Sequence, residues 1–473
     1  MKHTLWDRQE VAAATGGRCT ENGAITSVSI DSRTVEEGAL FVALKGDQFD
    51  GHDYVQSAFE RGAWAALVSE PPKGISPDDA RLIWAGDTER ALQDLGQASR
   101  ARYHGKVIGV TGSVGKTGSK EMLRWALSAI GRVYATKGNY NNHLGVPLML
   151  SNMAPDYDFA IFEMGMNHAG EISMLSEWVA PDVSLITTVE EVHIEYFDGI
   201  EGIADAKAEI FDGMGEQGVA ILNADNSQFD RLFKHAHAKG LDRVITFGAG
   251  DNALCKLGQY RLEGLQSVVD AVIGDTPLTY RLGAIGKHWG LVSTAVLGVV
   301  EALGEDLAKA AEALEQFNEP EGRGRIEQIQ VKGGYLHLID DSYNASPSSM
   351  RAAFEKLYML QKSDVQKPKQ RTIAVLGDML ELGERAHDLH VGLVPSLVNN
   401  QIDLVFAAGK FMKELFDALP EAMQGEYDIT AADLGPKVAK HLRERDLVLV
   451  KGSRGSRMDD VVKHIKKQPS KEA

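Results

Sequence analysis

The sequence predicts an α/β protein of three domains. A central phosphate-loop domain is built on a doubly wound, mostly parallel sheet, with a Rossmann-like α/β domain after it and a small α/β domain before it. Three observations carry this. Lys106 to Glu121 reads KVIGVTGSVGKTGSKE, an apolar run, a glycine-rich turn and the start of a helical pattern. Apolar runs then alternate with helical stretches as far as Asn223, the rhythm of a parallel sheet covered by helices. After Asn318 a second series of apolar runs, each stopping at a polar cluster, repeats the layout. The expected boundaries are 1–83, 84–318 (with 84–105 a linking helix) and 319–473, disordered from about 466.

The whole chain limits the choices further. Its 473 residues match a prior of about three domains. At 44% hydrophobic and 25% charged it can bury several cores. A net charge of −17 argues against a general nucleic-acid binder, which needs basic surface to replace counterions. Cys19 and Cys255, the only cysteines, suggest neither a disulfide framework nor a cysteine metal site. The start, MKHTLWDRQE, turns polar too soon for a signal peptide, and no apolar run approaches membrane-spanning length. A soluble cytoplasmic protein without membrane or nucleic-acid partners is expected.

In the first domain, Val28 to Ile30 and Ala39 to Leu44 read as strands, followed by a helix from Val55 and a strand at Ala65–Val68. Ser32 and Arg33, at a strand end, fit either a solvated turn or a polar ligand site. A helix from about Thr88 to Tyr103 leads into the central domain.

There Val107 to Val110 is a buried strand. Gly112, Ser113, Val114 and Gly115 form the turn, and Lys116 and Thr117 open the helix, with Gly118 behind them. Consecutive backbone N–H groups in such a turn curl around phosphate oxygens, and the helix N-terminus adds its dipole. Lys116 supplies a cation for the outer phosphates and the Thr117 hydroxyl can ligate Mg²⁺. The spacing is unusual, because Val110 occupies the place of the first glycine in G-x-x-x-x-G-K-T.

In a sheet of this kind ligands lie at strand carboxyl ends. Asn139 and Asn142 follow the strand Val133–Thr136, as turn residues or as amides facing a sugar or peptide. Glu163 ends the next strand and is placed to hold Mg²⁺. The fourth strand, Val183–Thr187, ends in a run that holds Thr187, Thr188 and His193, and a histidine there is either a packed or surface residue or a ligand. Lys207, taken alone, is a solvated charge on an amphipathic helix. Gly286-Lys287-His288-Trp289 opens a long apolar helix to Leu303. In the third domain Arg323 and Arg325 sit on a glycine turn. Four strands are expected, ending near Asp341-Ser342-Tyr343-Asn344-Ala345-Ser346-Pro347, Gly377-Asp378, Gly409 and Lys451-Gly452-Ser453-Arg454.

Taken together, the phosphate loop, Asn139-x-Asn141-Asn142-x-x-Gly145-x-Pro147, Glu163-Met164-Gly165 and the His193…Lys207 pair resemble the central domain of the Mur ligases. These are ATP-dependent amide-forming enzymes of peptidoglycan synthesis. Asp31-Ser32-Arg33, Leu40 to Leu44 and Asp50-Gly51-His52 are similar to their uridine-nucleotide domain. Asp341 to Pro347 and Gly377 to Gly383 are similar to the member that adds D-alanyl-D-alanine.

The resemblance implies roles. Gly112 to Gly118 grip ATP, and His288, Arg325 and Asp341 contact it. Thr117 and Glu163 hold one Mg²⁺. His193 and a carbamoylated Lys207 organise a second, and with Lys116 form the catalytic group. Ser32 and Arg33 contact the UDP end of UDP-N-acetylmuramoyl-tripeptide, with Asn139, Asn142, Thr187 and Thr188 along the substrate. Asn344, Ser346 and Arg454 lie near the dipeptide. A monomer working through an acyl phosphate is expected.

The chain departs from the family at Gly118 and Ser119, where threonines are frequent, and at Val292, where an asparagine near the adenine is frequent. Two other functions stay open: another amide ligase of the group (amino-acid-adding, or a folylpolyglutamate synthase), and a phosphate-loop nucleotide switch that is not an enzyme.

Overall fold

A computed structural model describes residues 4–46, 48–192, 194–363 and 370–467. Its strands form three larger sheets and one ribbon pairing Trp6–Asp7 with Ala24–Ile25. In the first larger sheet β1 (Ser27–Ser29), β2 (Ala39–Val42), β3 (Ala65–Val68) and β4 (Leu82–Trp84) lie side by side, all parallel. β2 and β3 are buried along their whole length, which is why they read as unbroken apolar runs. Helix α1 (Thr88–Ala101) starts at Asp87, whose side chain accepts from the Glu89 and Arg90 N–H groups. Such a cap is worth about 1 kcal/mol. Leu92 and Leu95 of α1 share a core with Leu148 of the next domain, so this helix ties the two together.

The middle sheet has nine strands. They are β5 (Lys106–Thr111), β6 (Val133–Ala135), β7 (Phe159–Glu163), β8 (Val183–Ile186), β9 (Val219–Asn223), β10 (Arg243–Gly248), β11 (Cys255–Glu263), β12 (Gln266–Ile273) and β13 (Thr276–Leu282). The spatial order is β13-β12-β11-β10-β9-β8-β5-β7-β6. All pairs are parallel except β11–β12 and β12–β13. The chain leaves β5 for the edge at β6, returns beside β5 as β7, then crosses to its other side as β8. The crevice beyond the carboxyl ends of β5, β7 and β8 is therefore a topological switch point, where such sheets bind ligands. Helices α2 (Lys116–Ser128), α3 (Ile200–Ala208) and α4 (Lys287–Ala302) flank the sheet; α2 and α4 pack on the same core.

The last sheet contains β14 (Arg325–Val331), β15 (Gly334–Asp341), β16 (Thr372–Gly377), β17 (Leu404–Ala408), β18 (Gln424–Asp428) and β19 (Leu447–Lys451), in the order β14-β15-β19-β16-β17-β18. Helix α5 (Pro347–Ser363) follows β15. Six strands stand where the sequence reading finds four. The two extra ones, β14 and β18, are edge strands with largely half-buried or exposed residues, so neither carries an apolar run. Lys466, where the tail is expected to start, closes the helix Asp459–Lys466; the rest of that expected tail, 468–473, lies outside the described residues.

Candidate active site

The phosphate loop is shaped by its neighbours in the sheet. Gly112 has φ +142°, and a β-carbon there would fall 2.0 Å from Thr187 Oγ1, so nothing larger fits. That threonine hydroxyl donates to Val114 O (2.6 Å), and Ser113 N donates to Thr188 O (2.8 Å). The end of β8 thus holds the loop open from one side. Lys116 Nζ donates to Gly112 O (2.6 Å) and Ser113 O (3.3 Å). Burial lowers the Lys116 pKa; Glu163 works against that and Arg323 with it.

Glu163 is placed from the other side. Thr117 Oγ1 donates to its Oε2 (2.8 Å) and Asn141 Nδ2 to its Oε1 (2.9 Å), while its N–H donates to Thr136 Oγ1 (3.2 Å). A hydroxyl and a carboxylate, both hard oxygen donors, therefore meet beside the loop.

These groups line one wall of a cavity of about 550 Å³ between the middle and last sheets. Ser113, Val114, Gly115, Lys116, Thr117, Gly118, Asn139, Glu163, Thr187, Thr188 and His288 face it from the middle domain. Asp341, Asn344 and Ser346 face it from the loop between β15 and α5. Of the residues picked from sequence, these fourteen come together.

The opposite wall is cationic. Lys451 Nζ sits 2.7 Å from Asp341 Oδ2 and donates to Asn344 O (2.9 Å). Lys356 Nζ donates to Glu319 Oε1 (2.7 Å) and Gly324 O (2.6 Å). Burial raises the Asp341 pKa while Lys451 pulls it back. His288 lines the cavity with an exposed ring; the packed walls around it, with the charges of Lys356 and Lys451, push its pKa down to about 3, so the imidazole is neutral.

Other expected residues lie elsewhere. Lys207, on α3, is only 2% exposed, so it is not the solvated charge its helix suggests. Burial first, and then the like charge of Lys116, hold its pKa well below 10.5. It does not line the cavity. Neither does Asn142, whose Oδ1 accepts from Gly145 N (2.9 Å) at the start of the next helix. Gly112 is not among the lining residues either; its carbonyl accepts from Lys116 Nζ. Arg325 begins β14 opposite Asp340, exposed and outside the cavity; Arg323 from the same turn lines it instead. Exposed Arg454 reaches toward the Tyr343 ring (5.8 Å to its centroid), beside Arg323 at 4.2 Å. Ser32 and Arg33 are on the turn after β1, where Arg33 forks onto Asp31 (2.9 and 2.8 Å). His193 lies outside the described residues.

Sequence reasoning missed Lys356, Lys451 and Glu190, which line the cavity, and left Trp289 and Arg323 without roles. One departure from the family pattern gains a cause. A β-carbon on Gly118 would come 2.7 Å from Cη2 of the buried Trp289 ring, so the indole occupies the space of a side chain there. Val292 lines an apolar end of the cavity with Phe247, Leu291 and Ala295.

Comparison with known proteins agrees with this geometry. The Mur ligase middle domain profile matches residues 110–300, the Mur ligase glutamate ligase domain 324–454, and the Mur ligase family catalytic domain 24–100. The UDP-N-acetylmuramoyl-tripeptide–D-alanyl-D-alanine ligase of Rickettsia prowazekii is 34% identical, over 97% of this chain and 99% of its own. The crystal structure of MurF from Acinetobacter baumannii superposes with a TM-score of 0.84 at 30% identity, covering 98% of this chain and 99% of that one. MurF from Thermotoga maritima, solved in complex with ADP, gives 0.74 at 26% identity, covering 93% and 97%. The similarity thus extends over nearly the whole chain, and the chain belongs to the Mur ligase family.

Proposed function

We propose that the protein joins D-alanyl-D-alanine to UDP-N-acetylmuramoyl-tripeptide, consuming ATP and releasing ADP and phosphate, in cytoplasmic peptidoglycan precursor synthesis. The observation that carries this is the cavity itself. It gathers Lys116, Thr117 and Glu163 with Asp341, Asn344 and Ser346 round one space, which supports a triphosphate, contacted also by Asp341, held beside a small acceptor. Residues 1–83 take the uridine nucleotide through Ser32 and Arg33, 84–318 take ATP, and 319–473 present the dipeptide.

A carboxylate resists attack by an amine because its negative charge repels the nucleophile. The tripeptide carboxylate oxygen therefore attacks the γ-phosphorus, the bond to the β-phosphate oxygen breaks, and ADP leaves. The dipeptide amine then attacks the acyl phosphate carbon and loses a proton; the C–O bond to phosphate breaks. Two anions approach in the first step. Lys116 and the loop N–H groups offset their repulsion, the positioning and electrostatic work that phosphoryl transfer requires. Asn139, Thr187 and Thr188 orient the peptide, neutral His288 and Arg323 face the nucleotide, and Asn344 and Ser346 orient the amine, with Arg454 at the rim.

Thr117 Oγ1 and Glu163 Oε2, 2.8 Å apart, fit a Mg²⁺ that takes its remaining ligands from phosphates and water. When bound, the ion neutralises charge on the transferring phosphate. Lys207 fits carbamoylation, since burial and the like charge of Lys116 lower its pKa and so favour the uncharged amine that attacks CO₂.

The test is phosphate release by the purified chain. Release should require UDP-N-acetylmuramoyl-tripeptide and D-alanyl-D-alanine together. Release at the same rate without the dipeptide would instead mark a nucleotide switch.

A further inference from the structure

One acid in the cavity has no part in the chemistry above. Glu190 follows β8, and its main chain is fastened to the phosphate loop. Ser113 Oγ donates to Glu190 O (3.1 Å) and accepts from Glu190 N (3.0 Å), so one hydroxyl serves both backbone groups. The Glu190 carboxylate points the other way. It crosses to the last domain and accepts from Ser348 Oγ in the first turn of α5. Ser348 Oγ is in turn 3.2 Å from Ser346 Oγ, on the loop assigned to the dipeptide. A second bridge runs beside it, where Glu191 pairs with Arg385.

The backbone of this residue therefore moves with the phosphate loop while its side chain grips the facing domain. Mostly buried and drawn also toward Arg351, the carboxylate keeps its hydrogen bond only while the two walls stay together. We propose that Glu190 is a positioning residue that couples nucleotide occupancy of the phosphate loop to closure of the dipeptide wall. This rests on nucleotide binding at that loop as proposed above. It adds a named joint, separate from the residues that touch phosphate, through which binding on one wall is felt on the other.

The experiment uses the full chain with Mg²⁺ and a non-hydrolysable ATP analogue. Calorimetry follows binding and small-angle scattering follows compaction. Wild type should compact as the analogue saturates. Glu190→Ala should still reach saturation, while its compact fraction there falls to less than half and the KM for dipeptide rises at least fivefold more than kcat falls. Ser348→Ala, which cuts the same bond from the far side, should match it, and the double variant should be no worse than either. Glu190→Gln, which keeps an acceptor oxygen, should stay near wild type; it guards against a Glu190→Ala that fails to fold. Full compaction of Glu190→Ala or Ser348→Ala, or effects of the two that simply add, overturns the coupling. Absence of nucleotide binding to wild type would overturn the functional reading instead, so the two failures are distinguishable.

Discussion

Lys116, Lys356 and Lys451 line the cavity and Lys207 is buried outside it, and these lysines are held differently. On the last domain's side, Lys356 and Lys451 are 3% and 2% exposed, and each meets a carboxylate, Glu319 or Asp341. On the phosphate side, Lys116 bonds main-chain carbonyls, and Lys207 is buried within reach of the Lys116 charge. Both of these have depressed pKa values. Removing a charge from water is costly unless a counter-charge replaces the hydration. The first pair is compensated by direct ion pairs; the second feels carboxylates as well, Lys116 from Glu163 and Lys207 from Glu209 and Glu171, yet burial still lowers both pKa values. Lysines can thus look alike by residue type yet differ in what holds them, and under the proposed function the phosphate-side pair would serve the chemistry.

The sharpest way to break this distinction is Lys356→Ala. It strands the buried Glu319 carboxylate, which also accepts from Ile285 N, and should cost about 3–5 kcal/mol of stability. A fall in the urea midpoint, largely recovered by adding Glu319→Gln, is the expected result. Lys116→Ala should do the opposite. Turnover in the phosphate-release assay should drop about a hundredfold to a thousandfold. The thermal midpoint should hold or rise, because a cation whose pKa burial lowers has gone. A midpoint falling as far as that of Lys356→Ala would erase the contrast.

The same contrast explains what could be read from the sequence. The phosphate loop is local: strand, turn and Lys-Thr are contiguous, and the glycine forced at 112 marks the close approach of Thr187. Strand ends at Glu163, Thr187 and Asp341 follow from where apolar runs stop, and all three reach the cavity. The opposing wall is not local. Lys356 lies three turns into a helix and looks like any surface lysine until Glu319 and Gly324 meet it from thirty-odd residues away. Arg323 and Arg325 differ only by β14 pairing, which begins at 325 and turns that side chain outward. Edge strands β14 and β18 need no apolar run, so periodicity does not reveal them. The burial of Lys207 depends on packing of the whole domain, which one helix's pattern does not encode.

Lys207 sharpens the comparison next. If its amine carries a carbamate, Lys207→Ala should lose at least about tenfold in turnover, and added short carboxylic acids should restore part of it. Depleting CO₂ should slow wild type and bicarbonate should revive it. Full activity in the plain variant removes the carbamate. The sign of the pH effect is independent of turnover. The unmodified folded amine has a pKa below the ordinary 10.5, so the unfolded chain binds the proton more tightly. Stability then rises with pH from the folded value toward 10.5. Lys207→Met should flatten that rise in thermal melts in CO₂-free buffer, gaining most over wild type at the acid end.

The smallest effect concerns the loop's own packing, where two terms of similar size compete. Gly118 is the third residue of α2, and an alanine there gains about 0.8–1.0 kcal/mol of helix propensity. Its β-carbon would also press on the Trp289 ring at 2.7 Å, and overpacking of that kind costs about 1–3 kcal/mol. Gly118→Ala should therefore be neutral to about 2 kcal/mol less stable, which is the difference between those ranges. The strain sits in the aromatic ring, so trimming the ring should reverse the sign. In a Trp289→Phe background the same alanine should stabilise the chain by up to the propensity gain. Equal ΔΔG values in both backgrounds would mean that the indole does not determine the glycine. The phosphate side would then owe its shape to the loop alone, and Trp289 would be an ordinary core residue packed against Phe317, its ring neighbour at 5.5 Å.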